Sequence, residues 1–445
     1  MHPNRLWSTW LSLVREFAAG FTQPGQRRFV EWITGLALNV EEHTITQSLV
    51  GLDRPQDWKA LESFAEYGSW NERLLEWQLG WALNRLPNRL WHGYRVWAGD
   101  DTKVHRNSPN VWGTCTFHEY TARCPNRATT VRAHNWVVLG GLLPTPEQPA
   151  TFLPVAGRLY FRKSQLPAGE PFRTKCELLV ETLREQAQRQ EGRHLAVFDG
   201  GFALASVVRP LTHPEAGRPR IDFITRLRSD ARVCAVPPSQ RRPHQRGRMP
   251  KWGAPLSPPR EGGRWPGAWQ EGHVFLYGRR RKVRWKEVIC LWRVLGPDVR
   301  VKAVVAQVEG YSKRFTLVTS ALDLSGLQVV ELFCARFRQE DGFRDLKQRL
   351  GWEECRAWTK NPIERTTQAL FATLTLLRLL QYRLEAELGD DWWLHPQWNP
   401  HKSRPSVLDV ERLLRQHRGA IQQCLSDWLE KGGKIEASEA ETIAM

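Results

Sequence analysis

Leu332-Phe-Cys-Ala-Arg-Phe-Arg-Gln-Glu340-Asp-Gly-Phe-Arg-Asp-Leu-Lys347-Gln-Arg-Leu-Gly351 is the stretch that decides how the remainder of the sequence is read. At about 100° per residue, Phe333, Arg336, Glu340 and Lys347 share one narrow stripe of a helix. Leu332, Ala335, Phe343, Leu346 and Leu350 form a second stripe, which is a core face. The first stripe aligns an aromatic ring, a cation, a carboxylate and another cation, with Arg344 one turn beyond Glu340. Two readings of it are open. It is a solvated face with ordinary i, i+4 pairing, or it faces a phosphate backbone, with the cations on phosphates and Glu340 on a metal ion.

Upstream, two more carboxylates stand in a suggestive setting. Tyr94-Arg-Val-Trp-Ala reads as a strand running into Gly99-Asp100-Asp101-Thr102, and Leu195-Ala-Val-Phe198 as a fully apolar strand running into Asp199. Both aspartates are expected at the C-terminal ends of strands, where a carboxylate reaches the sheet edge without being buried unpaired. For either one alone, a turn or a helix cap is the plain alternative. Taken with Glu340, they form the set that two-metal phosphodiester chemistry requires, because its two ions stand ~4 Å apart and share ligands. Mg²⁺ in such sites takes a few carboxylates and fills its shell with water and substrate oxygens. Asp101 is a rival for Asp100.

These motifs carry a resemblance. The Phe333-x2-Arg336-x3-Glu340-x6-Lys347 array resembles the Y-R-E-K signature of DD-E transposases from bacterial insertion sequences. Asp100-Asp-Thr102 is similar to that family's D-x-T motif, which favours Asp100 over Asp101. Asp199-Gly-Gly-Phe202 is similar to its D-R-G-F motif. Order and context hold over roughly residues 94 to 385. The resemblance implies an RNase H-like fold, with a β-rich insertion between the last core strand and the Glu helix. The 141 residues from Asp199 to Glu340 leave room for one. It implies catalysis by Asp100, Asp199 and Glu340 with two Mg²⁺ or Mn²⁺ ions. It also implies double-stranded DNA as partner (element ends and target) and a homodimer on that DNA. Arg336 and Lys347 would hold phosphates, with Lys103 a further DNA contact. Two positions depart from the pattern: Phe333 lacks the Tyr hydroxyl, and Gly200 replaces an Arg. The departures keep in view a catalytically altered DNA-binding descendant; another RNase H-fold nuclease, acting on RNA or a hybrid, is a separate alternative.

The expected fold class is α/β (α+β): a mixed sheet flanked by helices. Residues 1–90 read as a helical module, either DNA-binding or a structural cap. Residues 91–228 form the first part of the core and 229–322 a basic, β-rich insertion. Residues 323–388 complete the core with the Glu helix, and 389–445 form a partly helical tail suited to dimerisation. Residues 231 to 290 hold 14 Lys or Arg against Glu261, Glu271 and Glu287. There Trp252, Trp265, Trp269, Trp285 and Trp292 are interleaved with Arg264, Arg279, Arg280, Arg281, Lys282 and Arg284, a composition suited to nucleic acid. With 22 Trp in the chain, core packing is the competing reading for each ring.

The whole chain carries 64 Lys and Arg against 47 Asp and Glu, an excess that favours a polyanionic partner. No stretch approaches a membrane span, and Met1 to Gly20 has no secretory pattern, so a cytoplasmic protein is expected. The cysteines lack C-x-x-C spacing and read as reduced thiols. Cys115, His118 and Cys124 make the one local cluster, a weak basis for a metal site.

Overall fold

The computed structural model describes residues 2–433 apart from 19, 87–88, 120–128, 146–149, 214–217, 241–246 and 403. Helices α1 (Pro3–Ala18), α2 (Gln23–Leu38), α3 (Ile45–Gly51), α4 (Trp58–Tyr67) and α5 (Glu72–Ala82) come first. They are followed by β1 (Arg95–His105), β2 (Cys115–His118), β3 (Thr130–Leu143) and β4 (Thr151–Tyr160). Next come α6 (Lys175–Gln188), β5 (His194–Phe198), α7 (Ala205–Thr212), β6 (Ile221–Arg226) and β7 (Val233–Ala235). The strands β8 (Gln270–Leu276), β9 (Arg279–Trp292), β10 (Arg300–Val308) and β11 (Phe315–Thr319) lead to α8 (Gly326–Ala335) and α9 (Arg338–Arg344). A π-helical turn, Asp345–Arg349, precedes α10 (Lys360–Leu388), α11 (Val407–Gln416) and α12 (Arg418–Glu430).

One sheet runs through the molecule in the order β2-β3-β1-β5-β6-β11-β10-β9-β7, with β4 beside β3 and β8 beside β9. Within it, β4, β3 and β1 are antiparallel, while β1, β5 and β6 are parallel. This is the RNase H-like arrangement. β1, β3 and β5 are buried along most of their length, as expected of strands covered on both faces. α6 packs on one face, its start fixed by a capping box between Thr174 and Glu177. α9 and α10 pack on the other, and α8 lies beneath β5, β6 and β8–β11.

Three features differ from the sequence reading. First, the strands of residues 229–322 are not a separate sheet. β11 pairs with β6 (Leu317 with Arg226, Thr319 with Ile224), so they extend the core sheet. Second, the helix expected from Ser325 to about Leu350 begins on schedule, at a Ser325–Gln328 capping box, but breaks at Arg336–Phe337 and ends in the π turn. No Pro or Gly marks the break; the backbone stays in the right-handed helical region and tightens there to three-residue turns. Third, the two ends of the chain form one helical body. α10 is buried on nearly all sides between β4 and helices α1, α2, α4, α5 and α11. The tail folds back onto the N-terminal helices. Arg415 donates to the Asn39 carbonyl, Arg418 to Val50 and Gln422 to Gly51. No helix among the described residues is long and apolar enough to cross a membrane.

Candidate active site

Asp100 lies in the middle of β1 rather than at its C-terminal end, a correction to the sequence reading. Its surroundings nevertheless resemble a strand end, because the pairing with β5 stops at Ala98–Val197. Two residues further along both strands stand Asp100 and Asp199, at the same level on adjacent strands. Alternation of side chains across β1 separates Asp100 from Asp101. Asp101 is bound to Lys175 of α6 at 2.6 Å. Asp100 faces the opposite helix layer, where Arg336 donates to it at 3.1 Å. Burial pushes the Asp100 carboxyl up to about 7; Arg336 opposes the rise, while the charges of Asp199 and Asp101 add to it. A carboxylate held this way gains from any cation that replaces its proton.

Asp199 takes the cap role offered for it. One oxygen accepts from the Gly201 amide at 2.8 Å, capping the short Gly200–Phe202 turn. The other has no hydrogen-bond partner among the described residues. The Thr225 hydroxyl donates to the Asp199 carbonyl at 2.8 Å, tying β5 to β6. A Cβ at Gly200 would lie 3.2 Å from the Arg226 carbonyl, so this turn fits closely without the side chain of the usual motif.

Glu340 is exposed on the first turn of α9 and forms no ion pair among the described residues. Its helix is seated on the sheet beside the aspartates. Arg336 holds Asp100, and buried Gln339 donates at 3.4 Å to the carbonyl of Val138, the cross-strand neighbour of Asp100. Gly342 permits the close approach, since a Cβ there would meet the Phe152 ring at 2.5 Å. At the far end, Lys347 donates to the Lys103 carbonyl at 2.5 Å, and burial lowers its pKa. Still, no three His, Cys, Asp or Glu side chains among the described residues stand close enough to hold one ion. The structure thus brings together Asp100 and Asp199 but leaves Glu340 outside a common coordination sphere.

The remaining candidates divide by exposure. Phe333 is buried against Phe315, and Trp285 is 5% exposed, packed over Gly272 and Gly326. Both are packing residues here, not surface contacts, and Trp265 and Trp292 are buried likewise. Arg336 and Lys347 are spent on Asp100 and β1, and Lys103 bonds the His118 carbonyl. Arg344 pairs with Asp341 at the surface. Arg279, Arg280, Lys282 and Arg284 are exposed along β9, with Arg281 half-buried over Tyr311. Lys282 and Arg284 pair with Glu271, and Arg284, Lys286 and Arg314 surround the Trp269 ring. In the suggested cysteine cluster, Cys124 lies outside the described residues. Cys115 is buried and bonds the Gln165 carbonyl. Sequence reasoning missed Gln339 and Tyr277, which adjoin the site without a motif to announce them.

An RNase H-like sheet with two aspartates at one level suits a metal-dependent nuclease. Residues 16–293 match the family of DDE superfamily endonucleases, and the chain belongs to that family. The matched segment contains Asp100 and Asp199 and ends short of Glu340. No curated protein matches the chain.

Proposed function

We propose that this protein is a transposase that cuts the ends of a mobile DNA element and joins them to target DNA. Asp100, Asp199 and Glu340 would hold two Mg²⁺ or Mn²⁺ ions. The observation that carries the reading is the juxtaposition of Asp100 and Asp199, two residues beyond the last β1–β5 pair on each strand, within a chain of the DDE endonuclease family. Carboxylate oxygens suit hard divalent cations, and Asp199 keeps one oxygen off the Gly201 amide that could serve one. Such ions, when bound, acidify water and polarise the phosphoryl group. Glu340 supplies the third carboxylate from the helix that Arg336 and Gln339 seat against β1 and β3. Arg336 keeps Asp100 from standing as an isolated buried charge until an ion takes that role. The exposed cations of β9 give a sequence-independent grip on duplex DNA. The partner is double-stranded DNA, bound by a homodimer in the cytoplasm.

The test uses purified protein, supercoiled DNA and Mg²⁺ or Mn²⁺. Wild type is expected to cut and E340Q to lose cutting with DNA affinity intact. Undiminished cutting by E340Q removes Glu340 from the mechanism. Joining is read on DNA carrying the sequences that flank this reading frame. The separation of Glu340 from the aspartate pair favours a second reading, a DNA-binding descendant that no longer cuts. Wild-type cleavage eliminates it.

A further inference from the structure

The β8–β9 hairpin closes on Tyr277-Gly278. Leu276 pairs with Arg279, so two residues make the turn, with φ of 48° and 73°. Two positive values define a type I′ turn, whose first position suits Asn, Asp or Gly. A bulky side chain there is a backbone outlier. Strain of this kind persists where the surroundings hold it, and it gathers at active sites and ligand clamps. Tyr277 is nevertheless 58% exposed. Its ring rests on Phe337, with centroids 5.0 Å apart, at the break between α8 and α9. Partial burial raises its phenol pKa, Glu340 and Tyr311 add to the rise and Arg336 opposes it, so the phenol stands within electrostatic reach of both site residues. The hydroxyl has no hydrogen-bond partner among the described residues. The ring contact needs no hydroxyl, and the turn would form better without the side chain.

We propose that Tyr277 is a substrate-contacting residue whose hydroxyl donates to a DNA phosphate beside Glu340. The phosphate would lie at the mouth of a cleft of about 340 Å³, whose walls include Arg226, Tyr311, Lys313 and Phe337. Arg226 and Lys313 supply positive charge there, and a neutral phenol adds a directional donor without placing another cation against Glu340. The proposal rests on the DNA-cutting reading above and assigns that activity a residue from the basic strands.

The experiment has two arms. In the first, single-turnover nicking of supercoiled plasmid with Mn²⁺ is compared for wild type, Y277F, Y277N and Y277A. Loss of one hydrogen bond to a charged group predicts nicking at sub-saturating plasmid about tenfold slower in Y277F, with plasmid affinity in Ca²⁺ reduced by up to the same factor. Y277N should be at least as slow yet melt at a higher temperature, because Asn suits the turn. Wild-type nicking by Y277F overturns the proposal, and so does a defect confined to Y277A and Y277N, which would mark a ring-packing role. In the second arm, 3-fluorotyrosine is placed at 277 in the Glu340→Gln protein and its fluorine resonance is followed as a short duplex is added with Ca²⁺. A shift at saturation is expected, and an unmoved resonance overturns the proposal. If wild type nicks nothing, the transposase reading fails, while the resonance still decides whether Tyr277 meets DNA.

Discussion

The two halves of the sheet differ in how much of their charge they leave to solvent. In the half built from β4, β3, β1, β5 and β6, helices cover both faces, and a charged side chain within it needs a specific partner. Asp100 has Arg336, Asp101 has Lys175, and Arg158 binds Glu76 and Glu185. In the half built from β7 to β11, strand β9 alternates buried Val283 and Trp285 with exposed Arg284; Arg279, Arg280, Lys282 and Arg284 face solvent, whereas Lys286 is buried and donates to the Gly263 and Trp265 carbonyls. The comparison teaches that buried charge comes with a specific partner, because it is costly to leave unpaired. Solvated charge locates a surface and says little about its role.

The largest expected effect separates the halves most sharply. D199N should slow metal-dependent cleavage about 10³-fold, equivalent to ~4 kcal/mol in the transition state, while DNA affinity in Ca²⁺ stays unchanged; equal loss of both would erase the distinction. In the other half, W285A should destabilise the fold by about 3–5 kcal/mol in urea titration, as for a buried ring. A large loss of DNA affinity in W285A that remains well folded would return Trp285 to the binding surface.

The third test concerns the bracing of the carboxylate half. Buried Glu411 of α11 lies near Arg415, Arg349 and Asp345, and burial pushes its carboxyl up to about 7 despite the arginines. A folded-state pKa above the unfolded value of about 4.5 means the group's stabilising contribution is complete below pH 4.5 and lost as pH rises through 7. E411Q removes that titration. Its stability relative to wild type should improve by about 2 kcal/mol between pH 5 and pH 8, and a pH-independent difference would contradict the assignment. The smallest effect belongs to the exposed strand. R279A/R280A/R284A should weaken duplex binding and reduce the salt slope by up to about 3, leaving cleavage at saturating DNA and thermal stability unchanged. An unaltered slope would mean that β9 does not track the backbone.

What the sequence made legible follows the same division. Strands of the covered half stand out as apolar runs because both faces are buried, and an aspartate interrupting such a run is conspicuous. That made Asp100 and Asp199 readable, though not the mid-strand position of Asp100, which depends on where β5 ends. The break at Arg336–Phe337 was illegible. It accompanies the Arg336 bond to Asp100 and the Phe337 contact with Tyr277, both between residues far apart in the chain. The continuity of the sheet was hidden for the same reason, since β6 and β11 are separated by about 90 residues of sequence. The tryptophans misled because interleaving with arginine looks alike whether rings and cations share a face or alternate across it. On β9 they alternate, and Trp285 points inward.

The junction of β6 with β11 has a mechanical consequence. Strands pair directly across it, and α8 packs beneath strands on both sides, so the cationic strand and the aspartates belong to one continuous sheet. If a duplex touches both, a bend in it would cost least where its sequence bends easily.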